Sequence, residues 1–299
     1  MNAVWSFWSK PYFAHYRFVW PSDKHHLLAW VLSLETAKQH QEETYLYTDD
    51  DGKRLLVDGL GLRFGRVSTA LNALAGDDPE WWALGKIYTY SLQTAPFVHI
   101  DNDVFLWKPL PARLEQAPVF AQHPEPFKPG RSHYQPEMIE RALHGSTPGW
   151  LPTEWLWFRR VPGSQRSECC GIVGGRNVDF IRHYASQSLK LIKEPSNQRG
   201  LRALARKRAH MLSVEQYLLA ACVEYHRRQP ETPFRGVEIA YLFPSFTEAC
   251  NADKLARAGF THLMAGSKRN PVNAHRLESQ VQQYYAEAYM RCIKLSALL

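Results

Sequence analysis

Asp101 and Asp103 stand two residues apart at the end of a short, mostly apolar run, Phe97 to Ile100. Apolar sequence resumes at once with Val104, Phe105, Leu106 and Trp107. A run of that kind fits a buried strand. In extended backbone, residues i and i+2 point to the same side, so the two carboxylates are able to converge on one point. Carboxylates held that close repel each other unless something positive lies between them. A divalent cation meets the need, with hard oxygen ligands, water and the phosphates of a substrate completing its shell. Asp-x-Asp also arises by chance, as Asp49 and Asp51 illustrate, and the competing reading is a solvated turn between two hydrophobic segments.

The elements that must position this pair alternate along the chain. A first strand is expected from Ala3 to Trp8, then a helix from about Ser22 to His40. Ser22 is its N-cap, and Leu27, Leu28, Val31, Leu32 and Leu34 form its apolar face. Thr44 to Thr48 reads as a strand running into Asp49-Asp50-Asp51-Gly52, Lys53 to Gly59 as a short helix, and Leu62 to Ser68 as a third strand. A helix from about Glu80 to Gln93 precedes the strand that ends at Asp101. Strands alternating with helices predict an α/β fold, a parallel sheet with helices on both faces. Ligands on such sheets bind beyond the carboxyl ends of the strands. Phe7–Ser9, Thr48–Asp50 and Asp101–Asp103 are therefore predicted to share one crevice, with Trp8 in its wall. There Asp49 or Asp50 would hydrogen-bond a ribose or base, or would simply close an Asp-Gly turn.

From Pro111 to Gly163 the chain is rich in Pro, Gly and His with little periodicity, which predicts a long loop excursion over the sheet. Cys169 to Gly175 reads as a strand whose glycines mark close approach of a ligand or of another backbone. A helix follows from about Asn177 to Lys193. Ser213 to His226 is amphipathic, with Ser213 at the N-cap and Gln216 at N3 in a capping-box pattern. Val237 to Phe243 is a late strand, Phe260 to Asn270 a loop, and Ser279 to Ala297 a final helix. The whole is expected to be a single domain, residues 1–299, with a ligand-binding half at 1–110 and a second half at 111–299.

The segment from Glu80 to Pro111, EWWALGKIYTYSLQTAPFVHIDNDVFLWKPLP, resembles the core signature of GT-A-fold glycosyltransferases, especially the glycogenin-like group. Those enzymes carry a helix with a basic residue, a strand, Asp-x-Asp, and a short apolar run ending near Pro. The resemblance implies a GT-A-like, Rossmann-related sheet, mixed and mainly parallel. It implies Mn²⁺ or Mg²⁺ held by Asp101 and Asp103 against the diphosphate of a sugar nucleotide, a UDP-sugar being favoured, and transfer of the sugar to an acceptor. Lys86 falls where the family has its basic residue near the diphosphate; Trp8, Asp49 and Asn102 fall on the nucleotide-sugar side.

Two later segments follow the same pattern in order. The strand CCGIVGG, with Gly171, precedes Val214-Glu215-Gln216 by some forty residues. In the glycogenin-like group the corresponding residues form the sugar pocket, which makes Glu215 and Gln216, with Asp103, the implied catalytic residues. This chain has Glu where that group has Asp, and lacks the usual Asn before the strand glycine. Glu215 reads equally as a helix-dipole residue at a helix start. His262 and Lys268 match the family's metal-binding His and diphosphate-binding Lys. The Lys keeps its offset of six from the His, while Gly266 comes one position late. Retention at the anomeric centre is implied by the group; an inverting enzyme would need a carboxylate base, and Glu168 or Glu215 could supply one.

The bulk numbers bound the rest. The chain has 299 residues, 45% hydrophobic and 22% charged, the profile of an ordinary globular protein. It carries 36 Lys and Arg against 29 Asp and Glu, a formal charge of +7, which favours anionic ligands or surfaces. Lys190 to Arg208 concentrates seven basic residues against one Glu, either a solvated helix face or a nucleic-acid or anionic-membrane contact. No recognisable nucleic-acid module accompanies it. Five cysteines without Cys-x-x-Cys fit a reducing cytoplasm, with peripheral attachment to the inner membrane face as an option. The N-terminus has no signal-peptide pattern. A haloacid-dehalogenase-type phosphatase also places Asp-x-Asp after an apolar strand, but with Thr or Val where this chain has Phe105.

Overall fold

Nine strands are present among the residues described by a computed structural model, which are 1–16, 19–130, 133–144, 149–162 and 165–299. They are β1 (Asn2–Phe7), β2 (Thr44–Thr48), β3 (Arg66–Ser68), β4 (Phe97–Ile100), β5 (Val104–Leu106), β6 (Val119–Pro126), β7 (Arg166–Gly175), β8 (Ile239–Tyr241) and β9 (Phe260–His262). The architecture is α/β, with mixed, mainly parallel strands and flanking helices. The chain divides into two compact units. One comprises Met1–Pro79, Val98–Leu110 and Asn251–Leu299; the other comprises Glu80–Phe97 and Pro111–Cys250.

In the first unit the strand neighbours run β3-β2-β1-β4, and β1/β2 and β2/β3 are parallel. β5 and β9 form a separate antiparallel ladder. All four residues of β4 are buried, His99 along with its three apolar neighbours. The Asp23–Lys38 helix is buried nearly all round: β5 covers it, and so do the Pro271–Tyr284 and Ala286–Ser296 helices. A helix enclosed in this way needs no polar face. Ser22 holds the N-cap position, but its hydroxyl bonds the His25 ring, not a backbone amide. The helix end expected as one element from Ser279 is two helices, because Tyr285 leaves helical geometry at φ −139° and ψ 50°. The third strand is confined to Arg66–Ser68.

In the second unit the order is β7-β6-β8, with β6/β7 antiparallel and β6/β8 parallel. β6 lies inside the stretch expected to be a loop excursion, as do the Pro136–Leu143 and Thr153–Phe158 helices; residues 131–132, 145–148 and 163 of that stretch lie outside the described residues. Pro124 and Pro126 hid the strand. They sit past a register shift between Ala121 and His123, the kind of irregularity at which sheets tolerate proline. Gly175 resolves what one strand glycine is for: at φ +146°, a Cβ there would lie 2.2 Å from the Pro118 carbonyl oxygen, so the close approach is by backbone.

The helix expected from about Asn177 to Lys193 is Val178–Lys193, with Asn177 as its N-cap, accepting from the Phe180 amide at 3.1 Å. The expected start at Ser213 is corrected. Helical backbone begins at Lys207, after Arg206 at φ +57°, and runs through Ser213 to Arg228. Ser213 is therefore interior, with φ −70° and ψ −34°, and Glu215 does not sit at a helix start. The Glu80–Gln93 helix is shorter than expected, Leu84–Ser91, and the late strand is Ile239–Tyr241.

Candidate metal centre

Asp101 and Asp103 occupy the turn between β4 and β5, closed by the Val104 amide donating to the Asp101 carbonyl at 3.0 Å. Three contacts within the first unit hold that turn. The Trp5 indole in β1 donates to Ser33 Oγ at 2.9 Å, and Ser33 Oγ donates to the Asp101 carbonyl at 3.2 Å. On the other side, Thr36 Oγ1 accepts from the Leu106 amide at 3.1 Å. The fully buried indole thus satisfies its polar group on a serine that also positions the motif.

His262 arrives through the β5/β9 ladder, where it pairs with Val104. The next amide, Leu263, donates to the Asp103 carbonyl at 3.0 Å. The stretch expected to be a loop therefore begins as a strand, and this strand carries the histidine to the motif. His262 Nε2 lies 3.5 Å from Asp103 Oδ1. A 3-10 turn, Ala265–Arg269, then brings the Lys268 ammonium onto Asp103 Oδ2. Ala265 has φ +45°, so the residue three after the histidine is left-handed, although glycine occurs only at the next position. Lys268 also lies over the Trp20 ring, 5.8 Å from its centroid.

Asp103 is buried and Asp101 half-buried. Burial alone would raise the Asp103 carboxyl, but the Lys268 ammonium and the His262 ring hold it well below the usual carboxylate range. Burial pushes the nearby His26 imidazole down to about 3, Lys268 adding to the effect against Asp23 and Asp103. His26 is neutral at physiological pH and stacks on Tyr12 at 4.4 Å. Asn102 has a buried Nδ2 with no hydrogen-bond partner, a donor left over for something else.

The ligand atoms of Asp101, Asp103 and His262 lie within 4.8 Å of one another. Opposite ligands of an octahedral ion with 2.1 Å bonds are about 4.2 Å apart, so small side-chain rotations close the set on one ion. Two carboxylates and an imidazole suit a hard or borderline divalent cation. Residues 1–295 match the model of a family described as a family of unknown function, DUF6734. The chain belongs to that family. No curated protein matches it. The part of this DUF6734 chain that matches contains every candidate residue.

Trp8 and Asp49 line a cavity of about 630 Å³ at the ends of β1 and β2, with Ser9, Lys10, Asp50 and Asn72. Asp49 Oδ2 accepts from the Ser9 amide and hydroxyl, both at 2.9 Å, and Oδ1 caps the Gly52 amide at 2.8 Å. It holds the cavity wall in shape. Lys86, Gly171, Glu215 and Gln216 belong to the second unit of the DUF6734 chain. Buried Lys86 pairs with buried Glu215 at 2.9 Å and donates to the Cys170 carbonyl at 2.7 Å. Gly171 is buried within β7, and the Gln216 side-chain oxygen accepts from Tyr134. Glu168, fully buried beside Arg166, is pushed up to about 7 by burial against that guanidinium.

Sequence reasoning passed over Trp20, His26 and His99. His99 stands two residues before Asp101 on the same strand face, 3.7 Å from its carboxylate, and its spacing was a usable signal. Trp20 and His26 carried none. Among the described residues, no helix is long and apolar enough to cross a membrane. All five cysteines are free thiols.

Proposed function

We propose that this protein is a metal-dependent glycosyltransferase that takes a sugar from a nucleoside-diphosphate donor, a UDP-sugar by preference, and passes it to an acceptor. The observation that carries the reading is the gathering of Asp101, Asp103, His262 and Lys268 from two widely separated segments of the first unit. Asp101, Asp103 and His262 would hold Mn²⁺ or Mg²⁺. When bound, that ion supplies Lewis-acid stabilisation of charge on the departing diphosphate.

The chain's own residues do the remainder. Lys268 carries an ammonium that transfers from Asp103 to a phosphate oxygen as the donor enters, neutralising charge where it develops. The Trp8–Asp49 cavity takes the base and ribose, Trp8 offering an aromatic wall and Asp49 fixing the Ser9 turn. Asn102 offers its leftover donor to the donor substrate. Retention is the stereochemistry the resemblance implies, and a cytoplasmic location fits a nucleotide-sugar substrate. The roles implied for Lys86, Gly171, Glu215 and Gln216 are a separate matter, tested with Glu215→Gln.

Calorimetric titration with UDP, GDP and their sugar conjugates, with Mn²⁺ and then with EDTA, tests the proposal. One nucleotide is expected to bind at micromolar concentration only with metal. Asp101→Ala and Asp103→Ala are expected to abolish that binding while circular dichroism stays native. Metal-independent binding, or undiminished turnover in a folded Asp103→Ala variant, would end the transferase assignment.

A further inference from the structure

A second constellation lies wholly in the second unit and does not depend on the transferase reading. Glu154 on the Thr153–Phe158 helix, His183 on the Val178–Lys193 helix and His226 on the Leu218–Arg228 helix meet at one point. His183 Nε2 is 2.7 Å from Glu154 Oε1, and His226 Nε2 is 3.5 Å from the same oxygen. The two Nε2 atoms are 3.4 Å apart. Two nitrogens and one oxygen thus form a triangle with two sides of 3.4 and 3.5 Å and a shorter third side, the 2.7 Å His183–Glu154 contact. A tetrahedral ion with bonds of 2.0–2.1 Å separates its ligands by about 3.3 Å; two sides match one face of such a site, and a small side-chain rotation that opens the His183–Glu154 contact completes it.

The surroundings are those of a built site. Glu154 and His226 are buried, while His183 retains an exposure of 24% and leaves an entry path. Phe180 and Phe234 pack on His226 with ring centroids at 5.9 and 5.3 Å, and Phe234 also lies 5.3 Å from His183. An apolar wall of this kind keeps competing water from the ligands. As a hydrogen-bonded triad alone, both imidazoles would aim the same nitrogen at a single oxygen and at each other. A cation at the centre satisfies all three atoms at once.

We propose that Glu154, His183 and His226 form a two-histidine, one-carboxylate site for a divalent transition-metal ion of the zinc type, with water in the fourth position. Imidazole favours such ions over Mg²⁺ or Ca²⁺. The ion ties together three helices that are far apart in the chain, and binding it stabilises the fold.

The test uses the full chain carrying Asp101→Ala, so that the first centre does not contribute. The protein is stripped with chelator, loaded with Zn²⁺, desalted and analysed for metal. One tightly held equivalent is expected, with a higher melting temperature that EDTA reverses. Adding His183→Ala is expected to remove the equivalent, an affinity loss of more than about 100-fold, beyond that of a merely supporting partner. Glu154→Gln, close in shape, guards against a variant that fails to fold. Co²⁺ in the unaltered triad should give four-coordinate ligand-field bands that Zn²⁺ displaces. Zinc uptake unchanged in folded His183→Ala or Glu154→Gln, or no uptake and no Co²⁺ bands with the triad intact, would reduce the cluster to a hydrogen-bond network. Either result leaves the nucleotide titration untouched, so the two proposals fail separately.

Discussion

Asp103 and Glu168 are both fully buried carboxyls, yet they are driven in opposite directions. Asp103 has an ammonium and an imidazole directly on its oxygens, and attraction outweighs desolvation. Glu168 has one guanidinium, Nε to Oε1 at 3.1 Å, and the like charge of Glu224 nearby, so desolvation wins. The consequence for stability has a definite sign. The Glu168 carboxyl titrates at about 7 in the fold against 4.5 when free, so the folded chain binds that proton more tightly than the unfolded one. Its contribution is fully present below pH 4.5 and is lost as pH rises to about 7. Glu168→Gln is expected to flatten that part of the stability profile, a change on the order of 3 kcal/mol across the window. Urea midpoints between pH 4.5 and 8 would show it; a slope identical to that of the parent would contradict the assignment.

At the scale of elements, the segment from β9 to Lys268 converts a ladder pairing into a site. β9 fixes His262 opposite Val104, and the turn after it must reverse tightly to return Lys268 to Asp103. That reversal places Ala265 at φ +45°, a conformation costing an L-residue about 1–2 kcal/mol that glycine avoids. Ala265→Gly is expected to stabilise the protein by about 1 kcal/mol, after allowance for glycine's greater freedom in the unfolded chain. Chemical denaturation measures this directly, and a loss of stability would mean that the turn is not left-handed in solution. The same segment explains the late glycine: the geometry belongs to position 265 whichever residue occupies it.

For the whole molecule, the formal charge of +7 bears on which partners it meets. The basic run from Lys190 to Arg208 is partly engaged by the protein itself. Lys190 lies over the Trp150 ring at 4.1 Å, and Arg208 is 3.9 Å from Glu80. Binding to arbitrary DNA is therefore expected to be weak and shallow in its salt dependence. A log–log slope near −6, about 0.9 per phosphate neutralised, would instead mean that all seven basic residues engage a nucleic acid. Fluorescence anisotropy between 50 and 200 mM salt separates these outcomes.

Local patterning by itself determined the α/β class, the limits of β2 and β4, the helix that follows Asn177, and Asp101 and Asp103 as a carboxylate pair ending a buried strand. Each of these depends on neighbours in the chain, through side-chain alternation, apolar runs and capping residues. His262 and Lys268 were legible only through an ordered resemblance, because their approach to Asp103 depends on a ladder between β5 and β9. β6 was missed since Pro124 and Pro126 break the local rule and a bulge accommodates them. Ser213 misled because its capping-box spacing is real, while the helix was already under way from Lys207. Glu154, His183 and His226 left no trace in spacing at all. They come from three helices, and only the packing that buries those helices' apolar faces brings their polar atoms to one point.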